Sequence, residues 1–171
     1  MAPSLTSPKI LSIAAVARKV QNLRSNGMLI VTTNGTFDLL HPGHVHSLIE
    51  AKKHGDVLIV GVNSDASVRR YKGKLRPIVP AKERAFMVSA LECVDYVFIF
   101  SSDTPDPWIK KVRPDIHVKG SDRSLAEITE GAIVASYGGK VKLIRHTGRH
   151  STTRQIERIV SAYRDKKPES K

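Results

Sequence analysis

The stretch that decides the fold reads Thr33-Asn34-Gly35-Thr36-Phe37-Asp38-Leu39-Leu40-His41-Pro42-Gly43-His44. It follows a short apolar, β-branched run, Met28–Thr32, which is typical of a buried strand. It leads into a helical pattern over Gly43–His54. Gly35 lets the chain turn close to a ligand, and Pro42 suits the first turn of a helix because its missing N–H is no loss there. The stretch is therefore predicted to be a loop that joins a buried strand to a helix.

Two histidines, His41 and His44, lie three residues apart across this helix start. Both side chains can donate to phosphate oxygens from the same direction, and backbone N–H groups at a helix start also favour phosphate. Phosphoryl transfer needs such donors, because negative charge develops at the α-phosphorus. A polar cap or a core position is the alternative for either histidine. A metal site that includes His46 is the other alternative, but the spacing differs from the paired histidines of zinc helices and no cysteine is near.

The rest of the chain alternates short apolar runs with helical patterns. Further strands are predicted at Val57–Val62, Tyr96–Phe100, Ile116–Val118 and Val141–Ile144. Further helices are predicted at Ile10–Leu23, Ala81–Glu92, Pro107–Val112, Leu125–Ser136 and Thr152–Tyr163. This alternation predicts a single Rossmann-like α/β domain, with a mainly parallel five-stranded sheet and helices on both faces.

In such sheets, ligands bind beyond the carboxyl ends of the strands. The loops at those ends are therefore expected to converge on one site. These loops follow Thr33, Asn63, Phe100, Lys119 and Arg145.

The composition fits one globular domain. The length is 171 residues and the hydrophobic share is 40%, which is enough for one sizeable core and too little for two. We expect the domain to span residues 9–164, after a flexible N-terminus over 1–8 and before a charged, disordered tail over 165–171.

The formal net charge of +12 attracts polyanions. Aromatic residues make up 5% of the chain, and the basic residues are spread along its whole length instead of forming a patch with aromatics between them. A nucleic-acid-binding module is one alternative that the charge leaves open, but no recognition motif supports it, so we expect no nucleic-acid partner.

The single cysteine and the N-terminus bear on the compartment. Cys93 lies in the apolar stretch Ala90–Val97, where a small core residue is expected, and one cysteine cannot form an internal disulfide. Met1–Pro8 lacks the charged and apolar regions of a signal peptide. No apolar run approaches the roughly 20 residues needed to span a bilayer. The expected compartment is the cytoplasm, with no membrane partner.

Two motifs resemble a known family, the cytidylyltransferase-like nucleotidyltransferases. The first is Gly35-Thr36-Phe37-Asp38 followed by His41-Pro42-Gly43-His44, and the second is Ser151-Thr152-Thr153-Arg154. The resemblance implies that His41 and His44 stabilise the pentacoordinate α-phosphate while the acceptor phosphate attacks in line, without a covalent intermediate. It also implies that the hydroxyls at the start of the last helix bind the β- and γ-phosphates, where a plain helix cap is the alternative. His150 departs from the family pattern, which often has an apolar residue or a cysteine there.

The remaining site residues are implied by the same resemblance. Lys72 matches best a lysine that binds the acceptor phosphate, Lys74 is the other candidate, and a solvated basic loop is the alternative. The nucleotide side is completed by Gly35, Thr36, Phe37, Arg84, Lys119 and Gly120, and the acceptor side by Asp38, Asn63 and Asp65. An exposed helical arginine is the alternative for Arg84. Asp122 is either a helix cap or a site residue, and Trp108 belongs to the core, a pocket wall or an interface.

Several further stretches resemble one group of the family, the D-glycero-β-D-manno-heptose 1-phosphate adenylyltransferases. They are Lys9-Ile10-Leu11, Asn34, Asn63–Val68 with Lys72-Gly73 and Arg76-Pro77, Ala90–Asp95, and Val118–Gly120. The implied reaction transfers AMP from ATP to the heptose 1-phosphate and releases pyrophosphate, giving ADP-heptose for the lipopolysaccharide core. Glycerol 3-phosphate or another small phosphorylated acceptor, with CTP as the donor, is the alternative. A homodimer is expected from the family. Mg²⁺ is expected to arrive with ATP, because no dedicated carboxylate cluster stands out.

Overall fold

The computed structural model describes residues 5–120, 129–145 and 150–164. Within these ranges the sheet has five strands: β1 (Ile30–Gly35), β2 (Val57–Asn63), β3 (Tyr96–Phe100), β4 (Ile116–Gly120) and β5 (Lys140–Ile144). The helices are α1 (Ile13–Ser25), α2 (Pro42–Lys52), α3 (Asp65–Lys72), α4 (Ala81–Ser89), α5 (Asp106–Val112), α6 (Glu130–Ser136) and α7 (Thr152–Tyr163). The strand order is β3-β2-β1-β4-β5, and each neighbouring pair is parallel. The predicted parallel five-stranded α/β sheet is confirmed.

The sheet is covered on both faces. Along β2, Val57 and Ile59 pack into one apolar core while Leu58 and Val60 pack into the other, as the two-residue period of a strand requires. Helices α2 and α4 supply residues to the core that contains Leu58, and helices α1, α5 and α6 supply residues to the opposite core. Each fully buried side chain of this kind stabilises the fold by about 1.5–3 kcal/mol. The prediction of helices on both faces is therefore correct.

Strand β1 begins and ends later than the apolar run predicts. Met28 and Leu29 are exposed and precede the strand. The strand instead continues through Thr33, Asn34 and Gly35, because these residues pair with β2 in parallel register, up to Gly35 opposite Val62. The first polar residues of the signature are therefore fixed in the sheet.

Helix α3 was missed by the sequence analysis, which predicted a loop after Asn63. The helix contains the two basic residues Arg69 and Arg70, which made the stretch resemble a solvated loop. Ser64 is its N-cap, and the Ser64 side chain accepts a hydrogen bond from the Ser67 N–H at 3.2 Å. Val68 is fully buried and fixes the helix against the domain.

The N-terminal segment covers the outer edge of the sheet. The Leu11 N–H donates to the Val97 carbonyl at 2.9 Å and the Val97 N–H donates to the Lys9 carbonyl at 2.8 Å. Helix α1 therefore begins at Ile13, later than predicted, after its cap Ser12. Covering β3 in this way removes an unpaired sheet edge.

Other helix bounds also differ from those predicted. Helix α4 ends at Ser89, before the predicted end at Glu92. The predicted start of α6 at Leu125 and the unassigned Asp122 lie outside the described residues.

Two single residues can now be placed. Trp108 is a core residue, with its ring 5.1 Å from that of Phe98. Cys93 is half-buried against the core that contains Leu58, and burial raises the pKa of its thiol. In the part of the chain that the structure describes, no helix is long and apolar enough to cross a membrane.

Candidate active site

The strand order creates a crevice at one edge of the sheet. The chain passes from β1 to β2 and β3 on one side and then crosses over to β4 and β5 on the other, so the direction of winding reverses between β1 and β4. A ligand-binding crevice forms at such a switch point. Because all five strands are parallel, their carboxyl ends meet at the same edge. The strand ends from which the predicted loops leave therefore share this edge, while residues 121–128 and 146–149 of two of these loops lie outside the described residues.

The two signature histidines lie at this edge and contact each other. Their rings stack with centroids 3.7 Å apart and an interplanar angle of 14°. His41 is the N-cap of α2, and its Nδ1 accepts from the His44 backbone N–H at 3.3 Å. Since Nδ1 is the acceptor in the neutral ring, Nε2 carries the proton and is the donor nitrogen. The alternative of a polar cap is thus correct for His41 and is compatible with a catalytic role.

The packing around the pair fixes its orientation. The buried ring of Phe37 meets the ring of His44 edge-on at 5.2 Å. A Cβ atom at Gly43 would lie 3.1 Å from the His41 ring and 3.4 Å from the Cβ of His150. A side chain at this position would therefore displace the histidine, which explains the glycine between the two histidines.

The second motif lies beside the first. The ring of His150 is 6.5 Å from that of His41, which brings the start of α7 next to the start of α2. Ser151 caps α7 by accepting from the Arg154 N–H at 3.2 Å, Thr152 is buried and Thr153 is exposed. Two helix N-termini thus point toward one region, an arrangement that favours a polyphosphate. The sequence analysis noted His150 as a departure from the family and did not place it in the site.

Asp38 is fully buried and holds residues 71–80, which we name the 71–80 arm. Its Oδ1 accepts from the Ile78 and Val79 N–H groups at 2.8 and 2.9 Å, and its Oδ2 accepts from Arg76 Nε at 2.5 Å. Asp38 was predicted to contact the acceptor directly, and in this structure its carboxylate is occupied by the arm. The Arg76 Nη2 atom is buried without a hydrogen-bond partner among the described residues.

Arg84 is fully buried, so the alternative of an exposed helical arginine is wrong. Its guanidinium donates to the carbonyls of Thr36, Val79 and Asn63 and to the carboxylate of Asp65. It therefore links the ends of β1 and β2 to the 71–80 arm. The predicted nucleotide contact of Arg84 stays a prediction.

The other predicted acceptor residues lie nearby but bond to protein. Asn63 is buried, and its Nδ2 donates to Ser67 Oγ at 3.1 Å. The Asp65 Oδ1 that meets Arg84 also accepts from the Ala81 N–H at 2.9 Å, which ties α3 to the start of α4. Both side chains therefore hold neighbouring protein segments in place at the site.

The two candidate acceptor lysines differ in their surroundings. Partial burial and the charge of Arg76 lower the pKa of Lys72, while the charge of Asp38 opposes that shift. Lys72 is nevertheless an exposed residue in the last turn of α3, close enough to Asp38 and Arg76 for both charges to act on it. Lys74 is exposed too, beside the highly exposed side chain of Leu75. The choice of Lys72 over Lys74 stays a prediction.

A buried charged cluster lies under the end of β4. Lys119 Nζ donates to Asn34 Oδ1 at 2.9 Å and pairs with the carboxylate of Glu130, the first residue of α6. His117 is fully buried, with Nδ1 2.8 Å from Thr32 Oγ1 and Nε2 3.6 Å from Glu130 Oε1. The cluster thus crosses the switch point from β4 to β1. Gly120 ends β4 above it, and the residues that follow lie outside the described ranges.

Burial sets the protonation states in this cluster. Burial lowers the pKa of His117 to about 4, so the ring is neutral at physiological pH. Burial alone would raise the pKa of Glu130, but the polar contact with the His117 ring and the close Lys119 ammonium outweigh it and hold that pKa well below its usual range. Lys119 is thus held by an ionised carboxylate. The sequence analysis missed Glu130 and His117; the signal was a histidine inside the apolar run Ile116–Val118.

Comparison with known proteins agrees with this geometry. The model of the cytidylyltransferase-like family matches residues 32–158. The bifunctional protein HldE of Citrifermentans bemidjiense is 46% identical over 155 residues, which cover 91% of this chain and 32% of that protein. The bifunctional protein HldE of Syntrophotalea carbinolica is 49% identical over 140 residues, covering 82% of this chain and 29% of that protein. The chain thus spans about 30% of the length of these relatives.

Solved structures share the fold. The lipopolysaccharide core biosynthesis protein from Thermoplasma volcanium is 36% identical with a TM-score of 0.59, covering 71% of this chain and 98% of that chain. Pantoate-beta-alanine ligase from Francisella tularensis is 14% identical with a TM-score of 0.63, covering 88% of this chain and 73% of that chain, and shows the fold alone.

Fold and site together define a Rossmann-like α/β domain that presents two helix N-termini and a histidine pair at its switch point. The chain belongs to the cytidylyltransferase-like family, whose model matches residues 32–158.

Proposed function

We propose that this chain transfers AMP from ATP to D-glycero-β-D-manno-heptose 1-phosphate, giving ADP-heptose and pyrophosphate for the lipopolysaccharide core. The observation that carries the transfer reaction is the stacked pair of His41 and His44 beside the start of α7. The choice of acceptor is supported by the identity to HldE proteins and by the likeness to a lipopolysaccharide core biosynthesis protein.

The reaction is a single in-line displacement at the α-phosphorus. A phosphate oxygen of the acceptor forms the new bond, and the bond from the α-phosphorus to the bridging oxygen of pyrophosphate breaks. His41, through Nε2–H, and His44 donate to the oxygens on which charge grows. Ser151, Thr152 and Thr153, with the N-terminus of α7, hold the β- and γ-phosphates that leave.

The other residues place the two substrates. Lys72 binds the acceptor phosphate, and Lys74 at the tip of the arm can add to the attraction of the anion. Asp38, Asn63, Asp65 and Arg84 hold the 71–80 arm and the ends of β1 and β2 in place. The nucleotide lies in the crevice between β1 and β4, against Gly35, Thr36, Phe37, Lys119 and Gly120.

Mg²⁺ is expected to enter with ATP. Among the described residues no group of three or more His, Cys, Asp or Glu side chains could hold a metal ion. The two carboxylates assigned to the acceptor side, Asp38 and Asp65, already bond to Arg76 and Arg84. The phosphates and water therefore supply most of the ligands, as is usual for this ion.

We also propose a homodimer in the cytoplasm. Light scattering would test the oligomeric state, and cell fractionation would test the compartment.

Pyrophosphate release tests the proposal directly. ATP, CTP and GTP are each assayed against heptose 1-phosphate and glycerol 3-phosphate. We expect strong release with ATP and heptose 1-phosphate alone. Release with CTP and glycerol 3-phosphate would keep the mechanism but replace both substrates. No release in any pairing would contradict the proposed acceptors.

A further inference from the structure

Tyr71 is an aromatic residue of the site to which neither motif gives a role. It lies in the last turn of α3, one residue before Lys72. Its hydroxyl is 2.5 Å from Oγ1 of Thr36, in the signature loop, yet its side chain is 54% exposed. The exposed side chain of Tyr71 therefore contacts the loop that bears His41 and His44.

The arm that carries the ring also carries positive charge and exposed apolar side chains. Lys72 Nζ lies 5.8 Å from the centroid of the Tyr71 ring. The same arm exposes the side chains of Leu75 and Ile78 to 91% and 51%. The Thr36 and Tyr71 hydroxyls add two groups that both donate and accept.

These features match the chemistry of a cyclic sugar phosphate. Such an acceptor has a phosphate, a rim of hydroxyls and an apolar ring face made of C–H groups. A tyrosine offers a large apolar surface with a polar tip at low cost in conformational entropy. An acyclic acceptor such as glycerol 3-phosphate has the phosphate and hydroxyls but no ring face.

We propose that Tyr71 determines acceptor specificity: its ring packs against the sugar ring, and its hydroxyl, paired with that of Thr36, hydrogen-bonds a sugar hydroxyl. The inference rests on the proposed function and deepens it, because it assigns the choice of a cyclic over an acyclic acceptor to one side chain. With the phosphate bound at Lys72, the adjacent sugar lies within reach of the neighbouring residue.

Steady-state kinetics of two variants separate the ring from the hydroxyl. Tyr71→Phe removes one hydrogen bond and should raise the KM for heptose 1-phosphate by about 3–10-fold. Tyr71→Ala also removes the ring and should raise it by about 10–100-fold. The KM for ATP should stay within about twofold in both, and the preference for heptose 1-phosphate over glycerol 3-phosphate should fall, because the acyclic acceptor has no ring face to lose. The matched control is Tyr163→Phe, at an exposed tyrosine of α7.

A double-mutant cycle with Thr36→Val tests the hydroxyl pair. If the two hydroxyls act together, the effect of Tyr71→Phe on the KM for heptose 1-phosphate should be smaller in the Thr36→Val background. Thermal unfolding of each variant verifies that it is folded. If Tyr71→Ala does not fold, Tyr71→Phe still tests the proposal, because it keeps the shape of the side chain.

The outcomes separate the two proposals. Normal use of heptose 1-phosphate by the wild type, with unchanged acceptor KM in both Tyr71 variants, overturns the role of Tyr71 alone. Equal increases in the KM for ATP and for the acceptor also overturn it, because they indicate a general disturbance of the signature loop. Wild-type turnover of glycerol 3-phosphate but not of heptose 1-phosphate overturns the proposed function and this inference together.

Discussion

The two walls of the site are held in different ways. The signature loop, residues 35–44, is anchored in the interior: Phe37, Asp38 and His41 are all buried, and the histidine rings are stacked. The 71–80 arm is exposed along Tyr71, Leu75 and Ile78 and is held at its base by Asp38 and at its start by Thr36. One wall is thus part of the core, and the other is a surface segment fastened at a few points.

The difference fits the roles proposed for the two walls. In-line displacement requires reacting groups placed to within about 1 Å, since a misplacement of that size can cost two orders of magnitude in rate. Burial and dense hydrogen bonding supply that accuracy. Acceptor choice requires contacts that can vary without unfolding the domain, which is the usual property of surface segments on a rigid scaffold. The buried pairs Asp38–Arg76 and Arg84–Asp65 couple the two walls.

The largest effect is expected from removing that coupling. Arg84→Met keeps most of the buried volume but leaves the carbonyls of Thr36, Val79 and Asn63 without their donor. Breaking a buried charged network in this way lowers the free energy of unfolding by about 3–5 kcal/mol. Urea denaturation measures the loss, and Lys82→Met, at an exposed position of the same helix, is the matched control. A loss below about 1 kcal/mol would show that the walls are coupled elsewhere.

The signature loop should respond to His44→Ala in rate more than in stability. Removing one donor to the transition state is expected to lower kcat by about 100–1000-fold. His46→Ala on the exposed side of the same helix makes the identical chemical change and should leave kcat within about twofold, as surface substitutions usually do. Single-turnover kinetics with ATP and heptose 1-phosphate distinguish the two. Equal activity of both variants would remove the histidine pair from the mechanism.

The smallest effect is expected from acid acting on the cluster under β4. The pKa of His117 is about 4 in the folded protein and about 6.5 when it is unfolded, so the unfolded state binds more protons between these values. Stability should therefore fall as the pH is lowered from 6.5 toward 4, and this contribution should level off below 4. His117→Gln removes the titrating group and should reduce the loss by roughly 1–2 kcal/mol at pH 5.

Urea denaturation at pH 7 and pH 5 makes this measurement. His46→Gln, at an exposed histidine, is the control and should retain the full acid loss. An identical acid loss in His117→Gln and the wild type would mean that His117 does not titrate in this range.

Local pattern was sufficient for much of the architecture. The apolar runs of β2 and β3 are continuous because both faces of the sheet are covered, so their bounds are nearly those predicted. Helix α3 was missed because its signal lies in one cap and one buried side chain, Ser64 and Val68, within a basic stretch. The extension of β1 through Gly35 was missed because it depends on pairing with β2 and not on apolarity.

The sequence by itself determined the fold class, the histidine pair and the two helix starts beside it, because each depends on residue type and spacing along a short stretch. The tertiary structure decided which polar groups are buried and what they bond. The sequence alone did not decide whether Arg84 is exposed or buried. The contact between His117 and Glu130 depends on the packing of α6 beside β4. The physical reason is that hydrogen bonds between distant segments, and the desolvation that shifts a pKa, depend on packing and not on local periodicity.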